Sequence, residues 1–214
     1  MILKDFLKSY VPDETLRRVL YYIKCLKKFK DDGVQSIQSL DIAKKCGIKS
    51  SVVRKDFSYF GILGVRGKGY KVEQLCELFK ELLDKIGPIN AVVIGAGKLG
   101  TALVLHSKEN YNIEIVAAFD KNKEKIGEDI SGIPVYSINN LNKFIKSNNI
   151  KIVILAIPSE EVQSVVDMIK DTSIKLILSL TLTPINVPEG IEVSYFDILS
   201  EIEFLFLKLK FKEK

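Results

Sequence analysis

The 214-residue chain has no run of about 18 apolar residues, so nothing in it is expected to span a membrane. Its first ten residues, MILKDFLKSY, place acid and lysine among the apolar positions and lack the charged head, apolar run and cleavage site of a signal peptide. Three cysteines, Cys25, Cys46 and Cys76, are an odd number with no C-x-x-C spacing, which argues against a disulfide scaffold or a zinc knuckle. These absences predict a cytoplasmic protein that holds no metal. Histidine occurs once, as His106, and neither G-x-S-x-G nor H-E-x-x-H is present. Gly61 to Gly67-Lys68 is one residue too long for a phosphate-cradling loop, and Gly69 stands where that loop needs a hydroxyl. What is there is ordinary for folded protein: hydrophobic residues make up 47% and charged residues 28%, which excludes a disordered chain and leaves room for one or two cores.

The net charge of +5 is uneven. Residues 1–87 carry 18 Lys/Arg against 11 Asp/Glu, or +7, and residues 88–214 carry 14 against 16, or −2. An excess of cations on one small domain suits an approach to phosphate backbones, although a solvated lysine surface has the same composition.

Local signals divide the first part into helices. A helix begins near Pro12, with Asp13 and Glu14 complementing its dipole, carries Leu16, Val19, Leu20, Ile23, Leu26 and Phe29 at helical spacing, and ends at Gly33. Ser39 is expected to cap a short helix reaching Cys46, and Ser50 or Ser51 a third reaching Phe60. Two short helices joined across Gly47 form a helix-turn-helix pattern. Residues 62–70, rich in glycine, suit a hairpin or wing, and a fourth amphipathic helix covers about 72–86. Gly87-Pro88 is the natural boundary of a first domain, 1–87.

From Ile89 the period changes. Ile89–Ile94, Ile113–Phe119, Ile150–Ile157 and Ile174–Leu180 are short continuous apolar runs, with helical stretches between them at 98–109, 139–147 and 159–170. Such alternation predicts an α/β fold with an open parallel sheet, the Rossmann-like domain 88–196. A last strand at 191–196 precedes a final helix, 197–214, apolar on nearly every face; it is either a core helix or one buried against a second chain.

Gly95-Ala96-Gly97-Lys98-Leu99-Gly100 follows a buried strand and opens a helix, where a dinucleotide fingerprint has to sit. The first glycine allows the turn, the second admits the pyrophosphate and the third lets helix and strand pack, while the helix N-terminus supplies N–H groups. Asp120 ends the next strand, 20 residues after Gly100, where a carboxylate accepts from ribose hydroxyls and favours NAD(H); Lys121 and Lys123 soften that preference. No substrate domain remains, so an acid/base group beside the nicotinamide is hard to find. His106, on the helix after the glycine loop, is either an exposed or packing residue or the one group of a small NAD-dependent oxidoreductase.

On the third helix, Val53, Phe57 and Phe60 are spaced to face a core, which turns Arg54, Lys55 and Ser58 outward with Ser51 near the N-terminal end. Cations and a hydroxyl on one helix face suit a major groove. Arg66 and Lys68, set among Gly64, Gly67 and Gly69, suit a wing in an A/T-rich minor groove. A basic helical trio is also compatible with a protein-binding module.

SSVVRKDFSYFGILGVRGKGY (50–70), followed by GAGKLG, AAFD and GIPVY, resembles the Rex redox-sensing transcriptional repressors of bacteria from about Val11 through Asp197. The resemblance implies a homodimer of subunits with an N-terminal winged-helix domain, a C-terminal Rossmann domain and a last helix swapped across the dimer. It implies that NADH releases the repressor from palindromic double-stranded operator DNA and that NAD⁺ competes without releasing it. It assigns DNA contact to Arg54 and Lys55, helix-end positions to Tyr59, Phe60 and Gly61, and the wing to Arg66, Gly67, Lys68 and Gly69. Gly95 to Gly100 would hold the pyrophosphate, Asp120 the ribose, and Ala156, Ile157 and Pro158 the border of the adenine pocket. Asp197 would pair with the partner's first helix at Lys24, where family members more usually have arginine. His106 stands where family members place a tyrosine beside the nicotinamide, no Y-P-G-F stretch occurs, and Ser179-Leu180-Thr181-Leu182 replaces N-F-A-P.

Overall fold

Pro12 has extended backbone and Asp13 and Glu14 occupy the first turn that follows, so helix α1 starts there and runs Asp13–Asp31. The computed structural model describes residues 11–107 and 113–212, and the chain divides into two units, Met1–Gly87 and Pro88–Lys214.

In the first unit, α1 is followed by β1 (Ser36–Ile37), α2 (Ser39–Cys46), α3 (Ser50–Tyr59), β2 (Tyr70–Lys71) and α4 (Val72–Ile86). Neither short helix is capped by the serine its sequence offers. Gln38 precedes α2 and its backbone N–H donates to Asp41, while Lys49 precedes α3 without a side-chain cap. The Ser39 hydroxyl is used elsewhere, by Arg54. Gly47, in the left-handed region at φ 68°, turns the chain between α2 and α3.

The core of this unit joins aliphatic side chains to an aromatic cluster. Tyr22, Phe57 and Phe79 are fully buried, with ring centroids 5.2 Å apart for Tyr22–Phe57 and 5.9 Å for Phe57–Phe79. Here the buried face of α1 differs from the aliphatic stripe. Thr15, Val19, Tyr22, Cys25 and Leu26 point inward, whereas Leu16 and Leu20 are about half exposed. The reason is Asp56 on α3, buried between Val53 and Phe57, which requires donors from whatever packs against it. β1 and β2 pair antiparallel, and beyond them Val65 and Gly69 exchange hydrogen bonds at 2.8 Å, leaving Arg66, Gly67 and Lys68 at the tip of a wing.

The second unit contains β3 (Ile89–Ile94), α5 (Lys98–Ser107), β4 (Ile113–Asp120), β5 (Asp129–Ile130), β6 (Ile133–Ser137), a 3-10 turn (Ile138–Asn140), α6 (Leu141–Asn148), β7 (Ile152–Leu155), α7 (Ser159–Ile169), β8 (Leu176–Ser179), β9 (Glu192–Tyr195) and α8 (Ile198–Lys212). The expected end of α5 at Glu109 lies outside the described residues. The seven strands are ordered β5-β6-β4-β3-β7-β8-β9. With the parallel strands counted in chain order this is 3-2-1-4-5-6, the doubly wound arrangement, whose crevice opens at the C-terminal ends of β3 and β7. The sheet is not wholly parallel, because β5 pairs antiparallel with β6 through a tight turn at Ser131 and Gly132. Ile94, Phe119, Leu155, Val162 and Val166 are buried in one layer beneath that crevice.

α8 has no buried residue. Ile198, Leu199, Ile202, Phe204, Leu205, Phe206, Leu207, Leu209 and Phe211 are each more than half exposed. Among the described residues, no helix is long and apolar enough to cross a membrane, and no cluster of His, Cys, Asp and Glu is grouped to hold a metal ion.

Candidate functional site

Two places gather the residues that carry chemistry. The first is a cleft of about 350 Å³ at the crevice of the second unit, lined by the glycine loop, the end of β4 and the start of α7. Gly95 is at φ +100°, and a Cβ there would lie 2.3 Å from the Ala156 carbonyl oxygen, so the β3–α5 turn and the end of β7 touch backbone to backbone. A Cβ on Gly100 would lie 1.8 Å from the Gly95 carbonyl oxygen, which seats α5 directly on the turn. Gly97 is different: a Cβ there would meet nothing within 4 Å, and the residue lines the cleft. The glycines at the ends of the fingerprint serve packing, and the middle one leaves space for a ligand.

Asp120 borders this space. Its Oδ2 accepts from Ala96 N at 2.9 Å and from Lys125 Nζ at 3.4 Å, and its Oδ1 accepts from Asn122 N at 2.8 Å. Burial alone would raise its pKa, but the backbone donors and the Lys125 charge outweigh it and hold the carboxyl below its ordinary value. A carboxylate ionised and oriented in this way retains lone pairs for a diol. Beyond it, Lys121 pairs with Glu161 across the cleft, and Ile138, Ile157 and Val165 form an apolar slot beside them. The first N–H groups of α5 are free of helical partners by geometry, so the loop, the diol acceptor and the slot together suit a diphosphate-bearing nucleotide.

Of the expected nucleotide residues, Gly95, Gly97, Asp120, Lys121, Ala156, Ile157 and Pro158 line the cleft. Ala96 and Gly100 are buried behind it, and Lys98 and Leu99 are exposed on the first turn of α5. His106 is exposed on the last turn of α5, outside the lining of this cleft. Lys125, Asn122 and Glu161 were not singled out by motif. Lys125 lies only five residues after Asp120, within reach of a local turn, whereas Glu161 reaches the cleft only through the fold.

The second place is the outer face of α3 and the wing. Ser51, Arg54, Lys55 and Ser58 are exposed on α3, Tyr59 is half-buried, and Arg66, Gly67 and Lys68 are exposed at the wing tip. Arg54 Nη1 donates to Ser39 Oγ at 3.0 Å, and the Ser58 hydroxyl is turned back onto the Lys55 carbonyl oxygen. Arg54, Arg66 and Gly67 share a concavity of about 360 Å³ between α2, α3 and the wing. Lys24 is exposed on α1; Asp197 accepts from Leu199 N and the Ser200 hydroxyl, and so caps α8.

Behind α3, Asp56 accepts from Thr15 Oγ1 (2.9 Å), Tyr22 OH (2.6 Å), Arg18 Nε (2.6 Å) and Arg18 Nη2 (3.0 Å). Burial opposes its charge, yet Arg18, Tyr22 and Thr15 together hold its pKa below the ordinary value. A depressed folded pKa means stability that is present above the unfolded carboxyl value, about 4, and is lost as pH falls through the folded value. Thermal melts of the intact chain between pH 6 and 3 are therefore expected to show an acid limb that is flatter in Asp56→Asn. Burial pushes the Cys25 thiol up to about 12, with a contribution from a hydrogen bond to Cys46, and raises Cys46 and Cys76 as well, so all three remain protonated at neutral pH.

Residues 87–183 match the family described as "CoA binding domain", and residues 10–58 the one described as "Putative DNA-binding protein N-terminus". The redox-sensing transcriptional repressor Rex of Bacillus licheniformis is 37% identical over 203 residues, covering 94% of this chain and 94% of that protein. Rex of Bacillus subtilis is 35% identical over 204 residues, covering 95% and 94%. The chain belongs to the Rex family. Among solved structures, the Rex-family repressor RSP in complex with beta-NAD⁺ and operator DNA matches with a TM-score of 0.85 at 28% identity, covering 96% of this chain and 95% of that one. RSP in complex with beta-NADH matches at 0.81 and 26% identity, covering 96% and 97%. Both Rex structures extend over the two units described above.

Proposed function

We propose that this chain is a dimeric transcriptional repressor that holds palindromic operator DNA and releases it when NADH occupies the second unit. The observation that carries the reading is the cleft. An ionised Asp120 beside an open Gly97 fits the ribose and pyrophosphate of a dinucleotide, in a chain whose first unit presents Arg54 and Lys55 to solvent. Gly95 to Gly100 and the start of α5 hold the diphosphate, Asp120 the adenine-side ribose, and Ala156, Ile157 and Pro158 border the adenine. Ala96, Lys98 and Leu99 contribute backbone, Lys121 stays with Glu161 at the rim, and His106 lies toward the nicotinamide end. The charged groups lining the cleft, Asp120, Lys121, Lys125 and Glu161, are committed to one another or to backbone.

Ser51, Arg54, Lys55, Ser58 and Tyr59 read or flank the major groove, and Arg66, Gly67 and Lys68 the minor groove. Arg54→Ala lowers operator affinity by about 1–3 kcal/mol, measured by fluorescence anisotropy at fixed salt. For the ligand to act, the two arrangements of the dimer must bind it with different affinity. α8 is the natural dimer element: nine large apolar side chains in the open exceed what a monomer tolerates, and a second copy supplies an identical apolar partner. Lys24 and the partner's Asp197 then lie on the coupling path, with the Asp197 carboxylate exchanging its capping role for an ion pair.

The reading is tested with a duplex carrying an inverted repeat. The chain retards it in a gel, and NADH releases it at lower concentration than NAD⁺ does. Indifference of the complex to both nucleotides removes the sensor.

A further inference from the structure

α3 and the wing bring cations to the reading face of the first unit, and the one buried charged residue among the described residues of that unit, Asp56, lies on the inner side of α3. α3 has ten residues and no side-chain N-cap, so it does not hold its own position; isolated helices of that length are marginal in water. Val53, Phe57 and the C-cap residue Phe60 bury its apolar face, and the hydrophobic part of that burial is by itself non-directional. Asp56 is not of that kind. Its two oxygens accept four hydrogen bonds from Thr15, Arg18 and Tyr22, which lie three and four residues apart on one face of α1. The charge-assisted pair with Arg18 is bidentate, and such a fork fixes orientation as well as distance.

We infer that Asp56 is a positioning residue for DNA recognition: it locks the rotation and register of α3 against α1, so that Arg54 and Lys55, the two residues immediately before it, meet base edges at a defined angle. The inference rests on the operator-binding reading above and names the groups behind the reading face that set its geometry. Base contacts demand that geometry, whereas phosphate contacts tolerate its loss because they depend mainly on the number of cations near the backbone. Loosening α3 therefore separates the two kinds of binding, which simple unfolding does not.

The experiment compares the full chain with Asp56→Asn and Tyr22→Phe at a temperature well below each variant's melting point. Anisotropy is read on an inverted-repeat duplex and on a scrambled duplex, and NADH binding is measured alongside. Asp56→Asn is expected to lose about tenfold or more in operator affinity while its affinity for scrambled DNA, the salt dependence of that binding and its NADH affinity are kept. Tyr22→Phe removes one donor but leaves the Arg18 fork, and is expected to lose less in the same direction. If Asp56→Asn does not fold, Tyr22→Phe carries the test alone. An unchanged ratio of operator to scrambled affinity in folded variants overturns the inference, as does an equal fall on both duplexes. Failure of the unmodified chain to prefer the inverted repeat would instead count against the operator-binding reading.

Discussion

Gly100→Ala abolishes the nucleotide response while leaving a chain that binds operator. Its Cβ would sit 1.8 Å from the Gly95 carbonyl oxygen, a backbone atom that is itself held by the β3–α5 turn. Nothing flexible is available to give way, so α5 must lift from the sheet and carry its N-terminal amides out of register with the cleft. Overpacking of this kind costs about 1–3 kcal/mol, occasionally more, and the cost falls on the second unit alone. Gly97→Ala is expected to separate binding from folding, because a Cβ there meets no protein atom within 4 Å while the residue lines the cleft proposed to take the diphosphate. It is expected to melt like the unmodified chain, to bind NADH below detection in a fluorescence titration, and to stay on operator DNA at NADH concentrations that release the parent. NADH binding by Gly97→Ala at parental affinity would place the diphosphate elsewhere.

Truncation after Asp197 gives the second large effect. No residue of α8 is buried, and the apolar clusters of the second unit are complete without it, so the truncated chain is expected to keep its melting temperature. What it loses is a surface of nine large apolar side chains whose natural cover is a second copy. Light scattering is expected to report a monomer. Operator affinity then falls by about 10²-fold or more, because two half-sites are no longer engaged from one tethered pair of heads. A truncated chain that remains dimeric would move the dimer interface away from α8.

Much of this is legible in the sequence. The strands β3, β4, β7 and β8 stand out as continuous apolar runs because both faces of each are covered, and the spacing from Gly95 to Asp120 anticipates the cleft. Other elements leave no such trace. β5, only two residues long, pairs with β6 around Gly132 and Pro134, residues that read as turn, so the sequence carries no signal of this antiparallel edge. The serines at 39, 50 and 51 looked like caps because hydroxyls before helices usually are; here the Ser39 hydroxyl accepts from Arg54, fifteen residues away. The buried face of α1 departs from its aliphatic stripe for a related reason. Aliphatic spacing pointed to Leu16 and Leu20, whereas Thr15 and Tyr22 are buried to satisfy Asp56, and periodicity does not register a hydrogen-bonding demand from another helix. Asp56 itself left a clue, as a carboxylate on the same helical stripe as Val53, Phe57 and Phe60 has to be paired. The Lys121–Glu161 pair left none, since forty residues separate its members.

The account depends on a coenzyme in the Gly97–Asp120 cleft altering how the two reading heads of a dimer are spaced. The direct measurement is the distance between spin labels placed at Gly67→Cys on both wings, in a chain whose three native cysteines are replaced, with and without saturating NADH. The account predicts that NADH moves the distance distribution as a whole and that Gly97→Ala does not respond. An unmoved distribution at NADH concentrations that demonstrably fill the cleft would contradict it.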